Sequence, residues 1–230
     1  MSKSDVDLKV DWATHAAAKY ACEHWHYSKC LPVGKTLKVG AWEHGKYIGV
    51  VIFGRGANLH MLSQFRLEQN EGCELVRVAL QSHTSTVSRI VSIAVKFLKK
   101  SSPNLRIIVS YADPEQGHHG GIYQAGNWVY TGLSAKSRKV WYKGKWVHKK
   151  TVDDAGIDQS RMIKKYVSGK HRYLMPLDKE MRKQIEPLRK PYPKKQDTCA
   201  GSEAVSHQPF QAEDGGSIPT SALSERIESE

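Results

Sequence analysis

One stretch of sequence constrains the fold of this chain more than any other: a strand, a long amphipathic helix and a second strand follow one another between residues 73 and 110. Residues 73–80 (CELVRVAL) and 104–110 (NLRIIVS) are too apolar for solvent-exposed strands. Six apolar residues recur at helical spacing in the predicted helix over 86–100, before Pro103: Val87, Ile90, Val91, Ala94, Val95 and Leu98. The pattern predicts a βαβ unit, parallel and right-handed.

The segments on either side of this unit complete a prediction of fold class. We expect a helix over Asp11–Tyr27, with Asp11 as its cap, and strands over Thr36–Glu43 and Tyr47–Phe53, joined by a tight turn. A short helix over 121–126 and a strand over 128–131 follow, then a hairpin over 136–150 and helical pieces around 171–178 (HRYLMPLD). The order predicts an α+β protein with a mixed central sheet flanked by helices.

Composition and hydropathy exclude several classes of protein. A hydrophobic content of 40% and a charged content of 25% are those of a globular chain and exclude a wholly disordered or collagen-like one. No segment approaches the roughly 18 uninterrupted apolar residues of a membrane helix, and the first residues lack the apolar core of a signal peptide. We therefore expect a cytoplasmic protein without a membrane partner.

Charge is distributed unevenly along the chain. The whole sequence carries +12, but residues 197–230 hold seven acidic residues and one basic residue. Residues 1–196 therefore hold 34 basic and 16 acidic residues, a net charge of +18. Such a body favours a nucleic-acid partner, and an acidic tail could compete for the same surface. The alternative is a basic protein with no such ligand.

These observations divide the chain into three predicted parts. Residues 1–135 form a catalytic core, residues 136–196 a basic hairpin and helical extension that completes the core and binds nucleic acid, and residues 197–230 a disordered acidic tail. Residues 136–150 hold seven basic residues, no acidic residue and three interleaved aromatic residues. That mixture suits a phosphate backbone and unstacked bases, and we predict contacts from Lys139, Trp141 and Lys143.

Cysteine and histidine spacing gives little sign of a metal site. Four potential ligands lie close together in sequence: Cys22, His24, His26 and Cys30. Their spacing fits no common zinc knuckle, so no metal ligand is predicted, and free thiols are the simpler interpretation in a reducing compartment.

The element order resembles that of the Gcn5-related N-acetyltransferases, and residues 122–128 (IYQAGNW) resemble a motif of that superfamily. The resemblance implies that Tyr123 is a general acid; a phenol with a pKa of ~10 is protonated at neutral pH. The alternative is a core tyrosine. The superfamily also holds coenzyme A phosphates in a glycine-containing turn before its long helix. Here residues 81–86 (QSHTST) contain no glycine, and the candidates for donor binding are Ser82, His83, Thr84, Ser85 and Arg89.

Longer runs resemble the Mom family of bacteriophage DNA-modification proteins. They cover residues 26–35 (HYSKCLPVGK), 73–80, 110–132 (SYADPEQGHHGGIYQAGNWVYTG) and 170–178 (KHRYLMPLD). The resemblance implies a phage transferase that converts adenine in DNA to its N6-carbamoylmethyl form. Such an enzyme would protect viral DNA from host restriction and would act in the cytoplasm of the infected bacterium.

Several residues suit this chemistry. Asp113 follows a strand, where open α/β sheets bind ligands, and we predict that it orients the adenine amine; the alternative is a cap before Pro114. Glu74 is a second candidate base, with a salt bridge to Arg77 or Arg89 as the alternative. Ser110 is a candidate to hold the tetrahedral oxyanion. The remaining candidates for substrate binding are Tyr111, His118, His119 and Asn127, and an adenine inside a duplex would have to be flipped or single-stranded.

The product constrains the activated acyl donor. Acetyl transfer from acetyl-coenzyme A leaves a group without the carbamoyl nitrogen, whereas a glycyl group has the required atoms. We therefore expect glycyl-tRNA as donor, with acetyl-coenzyme A as the alternative, and double- or single-stranded DNA as acceptor. Two other functions are a conventional N-acetyltransferase acting on protein or small-molecule amines and an inert DNA-binding protein.

Overall fold

The computed structural model describes residues 7–56, 58 and 60–194. Ten strands lie within these residues: β1 (Leu8–Trp12), β2 (Thr36–Glu43), β3 (Lys46–Gly54), β4 (Gly72–Leu80), β5 (Ile107–Ala112), β6 (Val129–Leu133), β7 (Ser137–Tyr142), β8 (Lys145–His148), β9 (Lys164–Val167) and β10 (His171–Pro176). The helices are α1 (His15–Trp25), α2 (Val87–Ser101), α3 (Gly121–Ala125), α4 (Lys149–Asp153) and α5 (Lys179–Ile185). Three 3-10 turns cover Ser63–Phe65, Pro114–Gln116 and Glu186–Leu188.

Seven strands form the main sheet, in the order β1-β2-β3-β4-β5-β10-β6. Strands β4 and β5 run parallel and are connected through α2, whereas the other neighbouring strands of this sheet run antiparallel. The predicted βαβ unit is therefore confirmed, and so is the α+β class with a mixed central sheet. The three remaining strands form a small antiparallel sheet in the order β8-β7-β9.

Helices cover both faces of the main sheet because alternate residues of a strand point to opposite faces. On β3, Val50 and Ile52 pack with the alanines of α1, while Val51 and Phe53 pack with the apolar face of α2. On β5, Ile107 and Val109 pack with α5. The core is thus divided by the sheet into two layers.

Two predicted segments differ from the structure. Helix α1 begins at His15, and Thr14 caps it by accepting a hydrogen bond from the Ala17 amide; Asp11 instead lies in β1. Residues 171–176, predicted as helical, form β10 between β5 and β6. Tyr173 packs into one core layer and Leu174 into the other. Residues 173–176 (YLMP) form a short apolar run, and periodicity does not distinguish such a run in a buried strand from one in a buried helix.

The small sheet is built on the predicted basic hairpin. Strands β7 and β8 are joined by Lys143 and Gly144, both with positive φ angles (48° and 76°), as a two-residue hairpin turn requires. Strand β9 pairs with the other edge of β7. Helix α4 contacts β7, and Val140 of β7 and Val152 of α4 are both buried.

The predicted disordered tail over 197–230 lies outside the described residues. Within the described part of the chain, no helix combines the length and the apolarity needed to cross a membrane.

We predict that β10 is essential to the stability of the main sheet. Leu174 is fully buried between α5 and β5, so Leu174→Ala should lower the free energy of unfolding by about 2–5 kcal/mol. Leu188→Ala, at a site that is 39% exposed, should cost less than about 1 kcal/mol. Urea denaturation of both variants measures the difference. Equal losses would contradict a central position for β10.

Candidate active site

The candidate site is a cleft that opens where the pairing of β4 and β5 ends. The parallel register runs from Gly72 opposite Ile107 to Leu75 opposite Ser110 and goes no further, although both strands continue. Strand β4 also carries a β-bulge at this point, because Leu75 and Arg77 pair with consecutive residues of β3 and Val76 is left over. The unpaired ends of the two strands form the walls of a cleft of about 710 Å³.

Five parts of the chain line this cleft. They are the end of α1 with the residues that follow it, the second half of β4 with His83, the start of α2 at Val87, the end of β5, and the loop leading into α3 with the first residues of that helix. The polar and aromatic side chains among them are Trp25, His26, Tyr27, Arg77, His83, Tyr111, His118, His119 and Tyr123. Five of these were predicted as site residues: His83, Tyr111, His118, His119 and Tyr123.

Tyr123 lies at the apex of the cleft in a short hydrogen-bond chain. Its hydroxyl is 2.8 Å from Ser110 Oγ, which is 2.9 Å from the Leu75 carbonyl oxygen. A carbonyl can only accept, so the Ser110 hydroxyl donates its hydrogen to the Leu75 carbonyl. Its oxygen then accepts a hydrogen bond from the Tyr123 hydroxyl. Burial raises the pKa of Tyr123 to about 12, so the phenol is protonated at neutral pH. That state is the one a general acid requires.

Ser110 is completely buried behind Tyr123. The sequence-based interpretation placed its hydroxyl against a substrate oxyanion. In the structure both of its hydrogen-bond partners belong to the protein, and it is absent from the residues that line the cleft. This geometry makes Ser110 a positioning residue for Tyr123.

The glycine-rich loop before α3 is fixed to β10. The carbonyl of His119 accepts hydrogen bonds from Tyr173 Oη (2.5 Å) and Gln124 Nε2 (3.2 Å). Gly120 adopts a left-handed conformation (φ 83°), and a side chain there would collide with the Tyr173 ring. The loop therefore needs glycine at this position. The close contact of the loop with Tyr173 places His118 and His119 in the lining of the cleft.

The mouth of the cleft is aromatic. Tyr27, 51% exposed, meets the His118 ring edge-to-face at a centroid distance of 5.3 Å. Next to it, the buried His26 ring accepts a hydrogen bond from the Ser28 amide at Nδ1 (3.1 Å). Burial and the positive charge of Arg77 lower the pKa of His26 to about 4, so this ring is neutral at physiological pH.

Sequence reasoning missed Arg77, Trp25, His26 and Tyr27 as residues of the cleft. An arginine inside the otherwise apolar run of β4 was one available signal, because a charged side chain in a buried strand needs a specific environment. The other was the run HYSKC, which supported the family resemblance and was considered as part of a metal site, but was not assigned to the cleft. Among the described residues, no group of three or more potential metal-ligating side chains is clustered closely enough to hold a metal ion.

Asp113 takes the alternative role considered for it. Its carboxylate accepts the Glu115 amide (3.0 Å), caps the 3-10 turn after β5, and forms an ion pair with Lys170 at 3.1 Å. Glu115 in turn pairs with Lys139 at 2.6 Å. The two carboxylates thus bind lysines of the basic extension to the rim of the cleft. The structure confirms the cap, and a catalytic role for Asp113 stays a prediction.

The other predicted residues have different surroundings. Glu74 lies beside Gly56, which has a positive φ angle. Burial is the main cause of the raised pKa of Tyr111, and the negative charge of Glu74 raises that pKa further. Asn127 adopts a left-handed conformation (φ 58°) just after α3, which asparagine tolerates well, and it is outside the set of residues that line the cleft.

The turn predicted to bind the donor precedes α2. The amides of Thr84 and Ser85 donate to the two carboxylate oxygens of Glu43, at 2.8 and 2.6 Å. Ser82 and Arg89 are exposed, while His83 faces the cleft and bonds through Nδ1 to the Gln81 carbonyl (2.7 Å). Two of the amides that a phosphate would need are therefore already bound by the protein itself.

A mixed sheet that opens between its parallel strands, with a protonated tyrosine in the cleft, is the arrangement that the resemblance to the Gcn5-related N-acetyltransferases predicts. The Mom protein family model matches residues 7–194, and the chain belongs to this family. It is 26% identical over 206 residues to the methylcarbamoylase Mom of Escherichia phage Mu, an alignment that covers 82% of this chain and 84% of that protein.

Two solved structures have a partly similar outline. A putative acetyltransferase from Acinetobacter baylyi ADP1 aligns over 77% of this chain and 96% of its own, with a TM-score of 0.44 and 10% identity. An N-acyl amino acid synthase from uncultured soil microbes aligns over 80% and 96%, with a TM-score of 0.48 and 11% identity.

We predict that the buried His26 makes stability depend on acidity. Its pKa lies near 4 in the folded protein and near ~6.5 in an unfolded chain. The unfolded chain therefore binds the proton first, and the free energy of unfolding should fall as pH drops from about 6.5 towards 4. His26→Gln should flatten this slope, whereas His24→Gln, at an exposed site, should leave it unchanged. Denaturation at several pH values measures it, and identical slopes in all three proteins would disprove the assignment.

Proposed function

We propose that this protein is a phage DNA-modifying transferase that converts adenine to its N6-carbamoylmethyl form. The observation that carries the proposal is the protonated Tyr123 at the apex of a cleft whose rim is paired to a basic, aromatic sheet. Membership of the Mom family and the likeness to the Mu methylcarbamoylase support it. The product would shield viral DNA from restriction in the cytoplasm of the infected host.

The small sheet supports DNA as the acceptor. The strand register places Lys139, Trp141, Trp146, His148 and Lys165 on one face. Trp141 is 42% exposed and meets Trp146 edge-to-face at 5.3 Å, and Lys165 Nζ lies 4.5 Å from the Trp146 ring. Cations for phosphates and aromatic rings for unstacked bases are the two features that single-strand binding needs.

The lysines of this extension are also physically connected to the cleft. Lys139 pairs with Glu115 and Lys170 with Asp113, both on the turn that follows β5. A DNA strand bound to the small sheet would therefore pass close to the cleft. Because the reacting amine is inaccessible in a stacked duplex, the base would enter flipped or from a single strand. Tyr27 and His118 would receive it at the mouth, with Tyr111 inside.

Tyr123 would protonate the leaving group of the acyl transfer. The adenine amine attacks the acyl carbon, the bond from that carbon to the leaving atom breaks, and the phenol proton passes to the departing oxygen or sulfur. The proton that the amine loses as the amide forms then returns to the Tyr123 phenolate. A departing alkoxide is a much stronger base than a thiolate and takes a proton even from a weak acid. With a pKa of about 12, Tyr123 suits a departing ribose oxygen better than a thiolate, whose conjugate acid has a pKa of ~8.5.

A glycyl ester also accounts for every atom of the product. After glycyl transfer to the exocyclic nitrogen, the free α-amine attacks the ring carbon that bears this nitrogen and closes a five-membered spiro ring. Rupture of the original carbon–nitrogen bond then expels that nitrogen as a primary amide. The product is a carbamoylmethyl group on the amine. We propose glycyl-tRNA as the donor, in place of acetyl-coenzyme A.

Mass spectrometry of nucleosides tests the reaction. Plasmid DNA from bacteria that express the protein should contain a deoxyadenosine heavier by one glycyl unit. Tyr123→Phe should lower its amount at least about 100-fold. Tyr47→Phe is the matched control, because Tyr47 is also buried and its hydroxyl also makes a hydrogen bond, to the Ala17 carbonyl (3.2 Å). An acetyl-sized increment would disprove the glycyl donor, and unmodified DNA would disprove the function.

DNA affinity tests the small sheet. Lys165→Ala should weaken binding at low salt and reduce the slope of log affinity against log salt by about 1. Trp141→Ala should cost about 1–3 kcal/mol in binding to a single strand. Lys183→Ala, on α5, removes an equal charge elsewhere and should change neither quantity. If it weakens binding as much as Lys165→Ala, general charge and not this face binds DNA.

A further inference from the structure

The turn over residues 81–86 is filled by the protein's own carboxylate. Glu43 is the last residue of β2, and its side chain enters the turn that leads into α2. Its two oxygens accept the amides of Thr84 and Ser85, and the residue is only 6% exposed. Backbone amides just before a long helix are ordinarily an anion-binding site. Here the anion is part of the chain.

The carboxylate is held in its charged form. Burial raises the pKa of Glu43, but the hydrogen bonds from Ser85 and Thr84 outweigh burial, and the pKa lies below its usual value. The turn is also tied to β3 independently of Glu43. The Gln81 amide donates to the Ile48 carbonyl (3.0 Å), and its side-chain Nε2 donates to the Tyr47 carbonyl (2.7 Å). A bound phosphate would have to displace an ionised side chain from a turn that is fixed on two sides.

We infer that Glu43 is a specificity-determining residue that excludes phosphate groups from this turn. The pyrophosphate of coenzyme A does not fit the residues present, because two amides are taken and a negative charge already lies between them. Two like charges in contact at a partly buried site repel each other strongly. A donor can therefore reach the cleft only with its phosphates bound elsewhere. This inference concerns the turn alone and does not depend on the acceptor.

Amide chemical shifts test the inference without any measurement of activity. Labelled wild-type protein is titrated with inorganic pyrophosphate and, separately, with coenzyme A. The amides of Thr84 and Ser85 should not shift with either. Glu43→Gln keeps an oxygen acceptor but removes the charge, so pyrophosphate should bind at least about tenfold more tightly and shift both amides. Glu43→Asp, which keeps the charge, and Glu23→Gln, at an exposed site on α1, should not gain affinity.

Each possible result of these titrations either supports or overturns the inference about Glu43. Saturable shifts of the Thr84 and Ser85 amides in the wild-type protein would overturn the inference, even if the Glu43 variants failed to fold. A folded Glu43→Gln variant that binds pyrophosphate no better than the wild type would also overturn it, because the charge would then not be the barrier. Since no DNA is present, failure here is distinct from failure of the proposed DNA modification.

Discussion

The early end of the β4–β5 pairing is the constraint on which the site depends. Parallel strands normally satisfy each other's backbone groups along their length, but here the ladder stops at Leu75 and Ser110. The Ser110 side chain continues the connection by bonding the Leu75 carbonyl across the gap, and Tyr123 bonds Ser110. The same feature thus opens the cleft and fixes the hydroxyl at its apex.

Strand β10 supports this arrangement, although its Tyr173 lies fifty residues after Tyr123 in the sequence. It separates β5 from β6, and its Tyr173 ring packs 5.0 Å from the Tyr123 ring while its hydroxyl bonds the His119 carbonyl. The tyrosine at the apex and the loop at the mouth therefore share one support. The basic extension supplies both this support and the aromatic, cationic sheet, which couples the cleft mechanically to the proposed DNA-binding face.

Sequence patterns predicted the parts of the fold that are set locally. The helical repeat of α2, the two hairpins and the apolar run of β4 are each encoded within a few consecutive residues, and the structure has all of them, although each hairpin turn has two residues where three were predicted. The βαβ unit followed from these, whereas Tyr123 followed from the resemblance of residues 122–128 to a superfamily motif. Partners distant in sequence could not be predicted in this way. Glu43 reaches Thr84 across 41 residues, and nothing local marks β10 as the strand between β5 and β6.

Two independent features of the site favour the same kind of donor. The first feature is the acidity of Tyr123. Burial raises its pKa and makes it a weak acid, suited to protonate a strongly basic leaving oxygen. The second feature is the turn before α2. There the Glu43 carboxylate accepts the hydrogen bonds of two amides that a pyrophosphate would use. A coenzyme A pyrophosphate would meet the Glu43 carboxylate in this turn, whereas the proposed aminoacyl ester on tRNA would not need the turn. Its phosphates lie along a polyanionic backbone, for which the +18 charge of residues 1–196 is the complement. The electrostatics of the body and the chemistry of the cleft therefore favour the same donor.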